Sequence, residues 1–313
     1  MQCIDLEKEG INKFEELKEK IGDFVELSSK EANFLVYLLK NYNPKKILEL
    51  GVSAGGSSLL ILDTIKNVEN AHLYSIDYLN YWYKDKNKPV GFLVEEKAPE
   101  LLNKWTLYSG NLACEFMDQI CPDKAQDIDF CFIDTRHMRP GEILDFLMVL
   151  PYLKKNAVVV FHDTCLHYCI FPIISNSDVN CLLMSAIKGQ KLQPKGTDIP
   201  NIGAIILDEN IKENLFDVFN LLILNWFYMI DKNEYEQVIK SFEKNYDEYY
   251  INIFKAGYNY NKKLFQQFDP QKFKNFSNKD IRKMYKYMIL SKLGIKKYKE
   301  RLECYRQKHM IKI

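Results

Sequence analysis

A glycine- and serine-rich turn, residues 49–57 (ELGVSAGGS), stands between a short apolar segment and a helix-like one. Its glycines would let the backbone approach a bound molecule closely, and the helix start would offer free N–H groups. Gly51 and Gly56 match the outer spacing of the dinucleotide motif G-x-G-x-x-G, but Ser53 replaces the middle glycine that admits a pyrophosphate. Glu49 would repel a pyrophosphate and suits a cation. The turn therefore favours the amino-acid end of S-adenosylmethionine over a dinucleotide, and a turn without any ligand is the simplest alternative.

Polar side chains also stand at the ends of the other strand-like segments. They are Asp77, Asn111, Asp134 and the adjacent pair His162-Asp163. In open α/β sheets, ligands bind outside the carboxyl ends of the strands. Asp77 is placed to accept hydrogen bonds from ribose hydroxyls, which either cofactor would supply. The sequence therefore predicts a single crevice in which these side chains meet.

The elements that would position these residues alternate between strand and helix. Alternation of this kind predicts an α/β fold with a parallel sheet and helices on both faces. Ser28 followed by Glu31 suits a capping box that opens a helix before the first of these strands. We predict strands over 46–50, 72–76, 105–109, 128–133 and 157–161, a last β pair over 181–187 and 202–207, and helices over 57–65, 99–104 and 141–153. The expected domains are N-terminal helices (1–43), a cofactor-binding domain (44–208) and a helical C-terminal appendage with a basic tail (209–313).

Composition restricts the class of protein. Apolar residues at 47% and charged residues at 27% are typical of a globular chain and exclude a disordered or collagen-like one. No apolar run reaches the roughly 20 residues of a membrane helix, and the N-terminus has no signal-peptide pattern. We therefore expect a cytoplasmic protein whose eight cysteines are reduced thiols.

The formal net charge of +1 hides an uneven distribution. Residues 271–313 hold 14 Lys plus Arg against 3 Asp plus Glu, so the rest of the chain is acidic. This basic tail leaves several alternatives open: a solvated helical surface, packing on the acidic body, contact with an anionic lipid or glycan precursor, or binding of a nucleic acid.

The motifs LELGVSAGGSS, LYSID, LYSGN, IDFCFIDTRH and VVVFHDT occur in this order. Together they resemble class I S-adenosylmethionine-dependent methyltransferases, in particular the subgroup of macrocin-type sugar O-methyltransferases and cephalosporin-hydroxylase-like proteins. The resemblance spans residues 30–208 and implies a Rossmann-like sheet of seven strands, the last antiparallel. It also implies that S-adenosylmethionine is bound by Glu49, Gly51, Ser53, Gly55, Gly56, Ser57, Asp77, Tyr78, Gly110, Asn111 and Asp134. The family often has Asp at the position of Asn111.

The resemblance further implies methyl transfer to a hydroxyl, which requires alignment of the reactants and a group that takes the acceptor's proton. The candidate catalytic residues are Asp134, His137 and His162. In metal-dependent relatives, the aspartate of F-I-D and an acidic pair after the fifth strand bind Mg²⁺, which assigns Asp134 and Asp163 as metal ligands. His162 replaces one oxygen ligand with an imidazole, and Mg²⁺ prefers oxygen, so metal dependence stays open.

The resemblance implies an O-methyltransferase that acts on a sugar, a nucleotide sugar or a related polyhydroxylated acceptor, with surface-polysaccharide biosynthesis as its setting. Two alternatives remain: a nucleic-acid methyltransferase that uses the basic tail, and a non-catalytic S-adenosylmethionine-binding partner protein. The ending IDT of the fourth strand, in place of Asn/Asp-Pro-Pro-aromatic, argues against base amino-methylation and favours a partner other than nucleic acid. The aromatic-rich appendage favours a homodimer, and Tyr81-Trp82-Tyr83 suits a lid or a surface that stacks on a sugar.

Overall fold

An eight-stranded sheet organises the fold in this computed structural model, which describes residues 1–165, 179–196, 201–208, 211 and 215–267. Among the described strands, the last in sequence is antiparallel to both of its neighbours and all other pairs in the sheet are parallel. The predicted Rossmann-like α/β fold is therefore confirmed. In spatial order the strands are β1 (Gln2–Ile4), β9 (Gly189–Pro194), β10 (Ile202–Leu207), β8 (Leu153–His162), β7 (Ile128–Ile133), β2 (Lys46–Leu50), β3 (His72–Asp77) and β6 (Trp105–Ser109).

Helices cover both faces of the sheet, because alternate residues of each strand point to opposite sides. Ile47 and Val158 face one core, while Leu48 and Val159 face the other. The first core is closed by α1 (Lys13–Ile21), α2 (Ser29–Tyr42), α3 (Gly56–Ile65) and α4 (Phe92–Lys97). The second is closed by α5 (Met117–Ile120), α6 (Gly141–Val149), α7 (Val179–Ala186), α8 (Leu215–Asn220), α9 (Lys232–Asn245) and α10 (Glu248–Gln267).

The strand predicted over residues 181–187 is wrong, because these residues lie largely in α7. Val179, Leu183, Met184 and Ile187 are buried at helical spacing, so the apolar run follows a period near 3.6 and not 2. On the side away from β8, the strand that pairs with β10 is β9, whose sequence GQKLQP is mostly polar. A further strand, β1, pairs with β9 and raises the total from the predicted seven to eight.

Two predicted helices also have different bounds or type. The helix predicted over 141–153 ends at Val149, and a 3-10 turn containing Pro151 leads into β8. The segment 99–104 forms a 3-10 helix instead of an α-helix. The other 3-10 helices among the described residues are Gly22–Phe24, Ala113–Glu115, Pro122–Lys124 and Leu221–Ile223.

The predicted capping box at the start of α2 is confirmed. The Ser28 hydroxyl accepts the Glu31 backbone N–H at 3.4 Å, and a Glu31 carboxylate oxygen accepts the Ser28 N–H at 2.6 Å. Asn43 ends the helix in the left-handed conformation that precedes Pro44. These signals fix α2 directly before β2.

A small hairpin of β4 (Tyr81–Trp82) and β5 (Asp85–Pro89) forms a second sheet where the sequence predicts a loop. The chain divides into two units, Met1–Asn261 and Lys262–Ile313. Within the first unit, buried residues of α8, α9 and α10 share a core with the sheet, whereas the predicted domain bounds at 43 and 208 stay predictions. The basic tail 271–313 lies outside the described residues. In the part that is described, no helix combines the length and apolarity needed to cross a membrane.

Candidate active site

A cavity of about 620 Å³ opens at the carboxyl ends of β2, β3, β6 and β7. This volume is within the range of sites that bind cofactors and small ligands. Its wall combines the glycine turn, the loop after β7, the hairpin β4–β5 and the loop of residues 24–27 before α2. Of the polar residues that the sequence predicts in one crevice, Asp77, Asn111 and Asp134 line this cavity, and His162 and Asp163 do not.

Two glycines of the turn are required by its geometry. Gly51 has φ +89°, and a Cβ on it would lie 1.8 Å from the backbone oxygen of Asp134. A Cβ on Gly56 would lie 2.6 Å from the backbone oxygen of Phe24. The turn is thus packed between the loop after β7 and the loop before α2, and side chains at these positions would displace it.

Asp77 fastens the turn to the end of β3. Its Oδ2 accepts the backbone N–H groups of Val52 and Ser53, each at 2.9 Å, and its Oδ1 accepts the N–H of Leu79 at 2.8 Å. Two carboxylate oxygens offer about four lone-pair positions, so one remains on Oδ1 for a ligand. Asp77 therefore shapes the turn as well as facing the cavity.

Glu49 lies beneath the turn, and its side chain has no solvent exposure. The hydroxyls of Ser57, Ser58 and Ser75 each donate to its carboxylate at 2.6 Å. Burial raises the pKa of Glu49 to about 7, against the lowering effect of the three hydroxyls. Glu49 thus reaches the cavity only through Ser57, which lies on its wall.

His137 and Asp134 share the cavity wall in the loop after β7. The Nδ1 atom of His137 lies 3.3 Å from Glu142 and 3.2 Å from Asp163, while its Nε2 lies 3.8 Å from Asp134. Glu142 is fully buried and also accepts the backbone N–H of His137. His137 has φ +53°, a conformation that non-glycine residues rarely adopt. Burial lowers the pKa of His137, but these carboxylates raise it to about 9.

His162 is buried behind this wall, with 4% of its surface exposed. Its Nδ1 lies 3.1 Å from Asp134, and its Nε2 lies 3.7 Å from Glu31 at the start of α2. Burial opposes its positive charge, but these carboxylates hold the pKa of His162 well above its usual value. For Asp134 the effects are reversed: burial raises its pKa, but the two imidazoles lower it by more. The pKa of Asp134 is therefore below its ordinary value. His162 therefore joins α2 to the sheet end.

At the far end of the cavity, side chains of the helical region hold the wall residues Asn111 and Arg136. Gln237 of α9 donates to the side-chain oxygen of Asn111 at 2.8 Å. Arg136 lies between the rings of Tyr78 and Tyr228, at 4.6 and 4.9 Å from their centroids, and pairs with Glu234 at 2.9 Å. Two side chains of α9, Glu234 and Gln237, thus hold Arg136 and Asn111 in the cavity wall.

The hairpin presents its aromatic residues on alternate faces. Tyr81 and Tyr83 line the cavity, whereas Trp82 packs against Phe24 and Phe92 with ring centroids 5.6 and 5.5 Å apart. Glu26 accepts hydrogen bonds from Tyr83 and Lys84 and so joins the hairpin to the loop before α2. Tyr81 and Tyr83 therefore share the cavity side of the hairpin, and their role as a lid or sugar-stacking surface stays a prediction.

Most of the predicted site residues meet in this cavity. Those on its wall are Gly51, Ser53, Gly56, Ser57, Asp77, Tyr78, Asn111, Asp134 and His137. In the described part of the chain, the predicted residues off the wall are Glu49, Gly55, Gly110, His162 and Asp163. Sequence reasoning missed Glu142 and Asp145, although a charge inside an apolar helical run was a usable signal. The loop residues 24–27 and Gln237 had no such signal.

A metal ion has one candidate place among the described residues. Ligand atoms of Asp134, His162 and Asp163 all lie within 4.8 Å of one another. Two carboxylates and one imidazole suit a divalent ion that accepts a nitrogen ligand beside oxygen, such as Mn²⁺, better than Mg²⁺, which prefers oxygen ligands only. The donor set therefore fits a divalent ion, with Asp134 and Asp163 as its oxygen ligands.

Comparison with known proteins places this site in context. Residues 48–164 match the family model described as a methyltransferase domain. No curated protein sequence matches the chain.

Three similar solved structures illustrate the likeness. An O-methyltransferase from Bacillus cereus in complex with SAH is 18% identical, over 62% of this chain and 90% of that one, with a TM-score of 0.45. TomG from Streptomyces achromogenes, an O-methyltransferase of tomaymycin synthesis in complex with SAM, is 17% identical over 66% and 91%, with a TM-score of 0.44. MycE, a methyltransferase of mycinamycin biosynthesis in complex with Mg, SAH and mycinamycin VI, is 17% identical over 66% and 56%, with a TM-score of 0.42.

Proposed function

We propose that this chain, whose residues 48–164 match a methyltransferase-domain model, transfers the methyl group of S-adenosylmethionine to a hydroxyl of a small polyhydroxylated acceptor such as a sugar. The observation that carries the proposal is a single cavity that joins a glycine turn to a carboxylate and an imidazole at a strand end. When bound, S-adenosylmethionine supplies an electrophilic methyl group. The protein's own groups bind it, orient the acceptor and take the proton.

The turn after β2 suits the amino-acid part of the cofactor. The Ser57 hydroxyl donates its proton to Glu49, so its lone pairs are left to accept from an ammonium group. Asp134 and the buried Glu49 place negative potential on this side of the cavity, which favours a cationic ligand. The remaining lone pair of Asp77 suits a ribose hydroxyl.

His137 is our proposed proton acceptor, because it lies on the cavity wall and His162 does not. Glu142 and Asp163 flank its Nδ1 and so orient the ring, which leaves Nε2 on the side of Asp134. A bound sulfonium cation would lower the pKa of His137 and favour the neutral form that accepts a proton. Asp134 then stabilises the imidazolium that results.

Asp134 and Asp163 would hold a divalent ion, and such an ion would polarise the acceptor hydroxyl. Activity measured after EDTA treatment, and again after Mn²⁺ or Mg²⁺ is restored, tests this part of the proposal. Loss and recovery of activity would support a metal, with Mn²⁺ the better of the two ions. Unchanged activity in EDTA would contradict it.

The acceptor would bind against the hairpin. Tyr81 and Tyr83 offer ring faces on which a sugar can stack, and Glu26 offers a carboxylate to its hydroxyls. This arrangement favours a polyhydroxylated acceptor over a purely apolar one.

Isothermal titration with S-adenosylmethionine tests the cofactor. We expect binding by the wild type and at least roughly tenfold weaker binding by Asp77→Ala, since that variant loses both the ribose contact and the anchor of the turn. Asp118→Asn changes an exposed carboxylate on α5 and serves as the control. Absence of binding by the wild type would refute the proposed function.

A transfer assay over nucleotide sugars, free glycosides and a catechol tests the reaction. We expect turnover with a sugar-containing acceptor, and a loss of about 10²–10⁴-fold in kcat for His137→Gln with cofactor affinity retained. His72→Gln, on β3 and off the cavity wall, is the matched control. Tyr81→Ala should raise the KM for the acceptor, while Tyr249→Ala, on the exposed surface of α10, should not. Turnover of the catechol alone would contradict the acceptor class.

A further inference from the structure

The oxygen of Asn111 is not free to recognise a ligand. It accepts the Gln237 amide at 2.8 Å and the backbone N–H of Leu112 at 3.0 Å, which uses both of its lone pairs. A cofactor base lying at the end of β6 would therefore find no acceptor there for an exocyclic amine.

A second carboxylate faces the same end of the cavity. Asp145 belongs to α6, which packs against the segment Ala113–Glu115 directly after Asn111. It lines the cavity together with Ala113 and Thr135. It is thus the acidic side chain on the wall that neighbours both the segment after β6 and the loop after β7.

The carboxylate of Asp145 can accept a further hydrogen bond. Thr135 donates its hydroxyl to Oδ2 of Asp145 at 2.6 Å, and the structure shows no hydrogen bond to Oδ1 among the described residues. Arg136, whose charge acts on Asp145, is engaged by Glu234 and by two tyrosine rings. A carboxylate on a cavity wall without its own cation gains from a ligand that brings N–H donors.

We propose that Asp145 accepts a hydrogen bond from the exocyclic amine of the cofactor's base and thereby selects adenine over a purine that carries an oxygen at that position. The proposal rests on the proposed function, because it assigns a contact to S-adenosylmethionine in the same cavity. Asp145 takes the role that the engaged oxygen of Asn111 cannot fill. Burial also raises the pKa of Asp145 to about 7, so an amine donor stabilises a carboxylate that its surroundings disfavour.

Calorimetric titration at pH 8 with S-adenosyl-L-homocysteine and S-inosyl-L-homocysteine tests the proposal without turnover. The two ligands differ at the exocyclic position of the base, where the inosyl oxygen would face the Asp145 carboxylate, and at the neighbouring N1, which carries a hydrogen only in the inosyl base. We expect the wild type to prefer the adenosyl ligand by about 10- to 100-fold, since a hydrogen bond to a charged group is gained and an acceptor–acceptor contact is avoided.

In Asp145→Asn, the preference should fall to within about threefold, because a carboxamide can turn either its oxygen or its NH₂ toward the base. Asp118→Asn removes an exposed carboxylate that lies off the cavity wall and should keep the wild-type preference. If Asp145→Asn kept the full wild-type preference for the adenosyl ligand, the proposal would be overturned. Equal binding of both ligands by the wild type would overturn it as well, without the use of any variant. Failure of the wild type to bind the adenosyl ligand would instead overturn the proposed function.

Discussion

Replacement of Glu49 by glutamine is expected to change how the stability of the protein depends on pH. Glu49 is fully buried, and its carboxylate is surrounded by three serine hydroxyls without a cation. Burial raises its pKa in the folded chain to about 7, compared with 4.5 for an ordinary glutamate. The folded state therefore holds this proton to a higher pH than the unfolded state does.

The sign and size of the effect follow from this difference. The contribution of Glu49 to stability is complete below about pH 4.5 and is lost as the pH rises through 7. Over the whole titration the loss is about 3 kcal/mol, at about 1.4 kcal/mol per pKa unit. Between pH 5.5 and 8.5 it is about 2 kcal/mol. Because glutamine does not titrate, Glu49→Gln should gain stability relative to the wild type by this amount across that interval.

Urea denaturation followed by tryptophan fluorescence measures this difference. Trp105 is a suitable reporter, because its indole N–H donates to Ser75, which in turn donates to Glu49. Glu69→Gln, an exposed carboxylate, serves as the control and should show no such trend. The hydrogen bonds that glutamine loses change the free energy of unfolding of the variant by the same amount at every pH. They therefore do not alter how the difference from the wild type depends on pH. A free-energy difference between variant and wild type that stays flat from pH 5.5 to 8.5 would refute the reasoning.

Three further substitutions test the packing of the site and the fold. Gly51→Ala should abolish cofactor binding in a titration, because its Cβ would lie 1.8 Å from a backbone oxygen; an unchanged Kd would show that the turn adapts. Ser28→Ala should lower the free energy of unfolding by about 1 kcal/mol through loss of the α2 cap, whereas Ser185→Ala, outside any cap, should not. Phe219→Ala should cost about 3–5 kcal/mol in denaturant, because its buried ring contacts three aromatic rings of α9 and the segment 246–250. A loss under 1 kcal/mol would mean that this cluster repacks.

The sequence predicts the inner part of the fold well, because its signals are local. The short apolar segment of β2, the apolar run VVVF in β8 and the capping box before α2 depend only on neighbouring residues. The edge of the sheet is less predictable. The mostly polar β9 is a strand because it pairs with β10, and the three-residue β1 because it pairs with β9; these are tertiary effects that composition does not reveal.

The same distinction applies to the site. The turn, Asp77 and Asp134 could be predicted, because each stands at the end of a recognisable strand. The separation of His137 from His162 could not, since both follow strand ends in the sequence and only the fold turns one toward the cavity and buries the other. The engagement of Asn111 by Gln237 depends on how α9 packs, and no local pattern encodes it.

The side chains that complete the cavity come from distant parts of the chain. Arg136 and Glu234 are 98 positions apart, and Asn111 and Gln237 are 126 apart. Contacts between such remote positions form late in folding, because the entropic cost of closing a long loop comes before the contacts can stabilise the chain. During synthesis, the ribosome must therefore release the whole of α9 before Arg136 and Asn111 of the cavity wall gain the partners that hold them. The nascent chain would then complete its cofactor pocket only after its central sheet, and ligand binding would act as a late step that favours the finished fold.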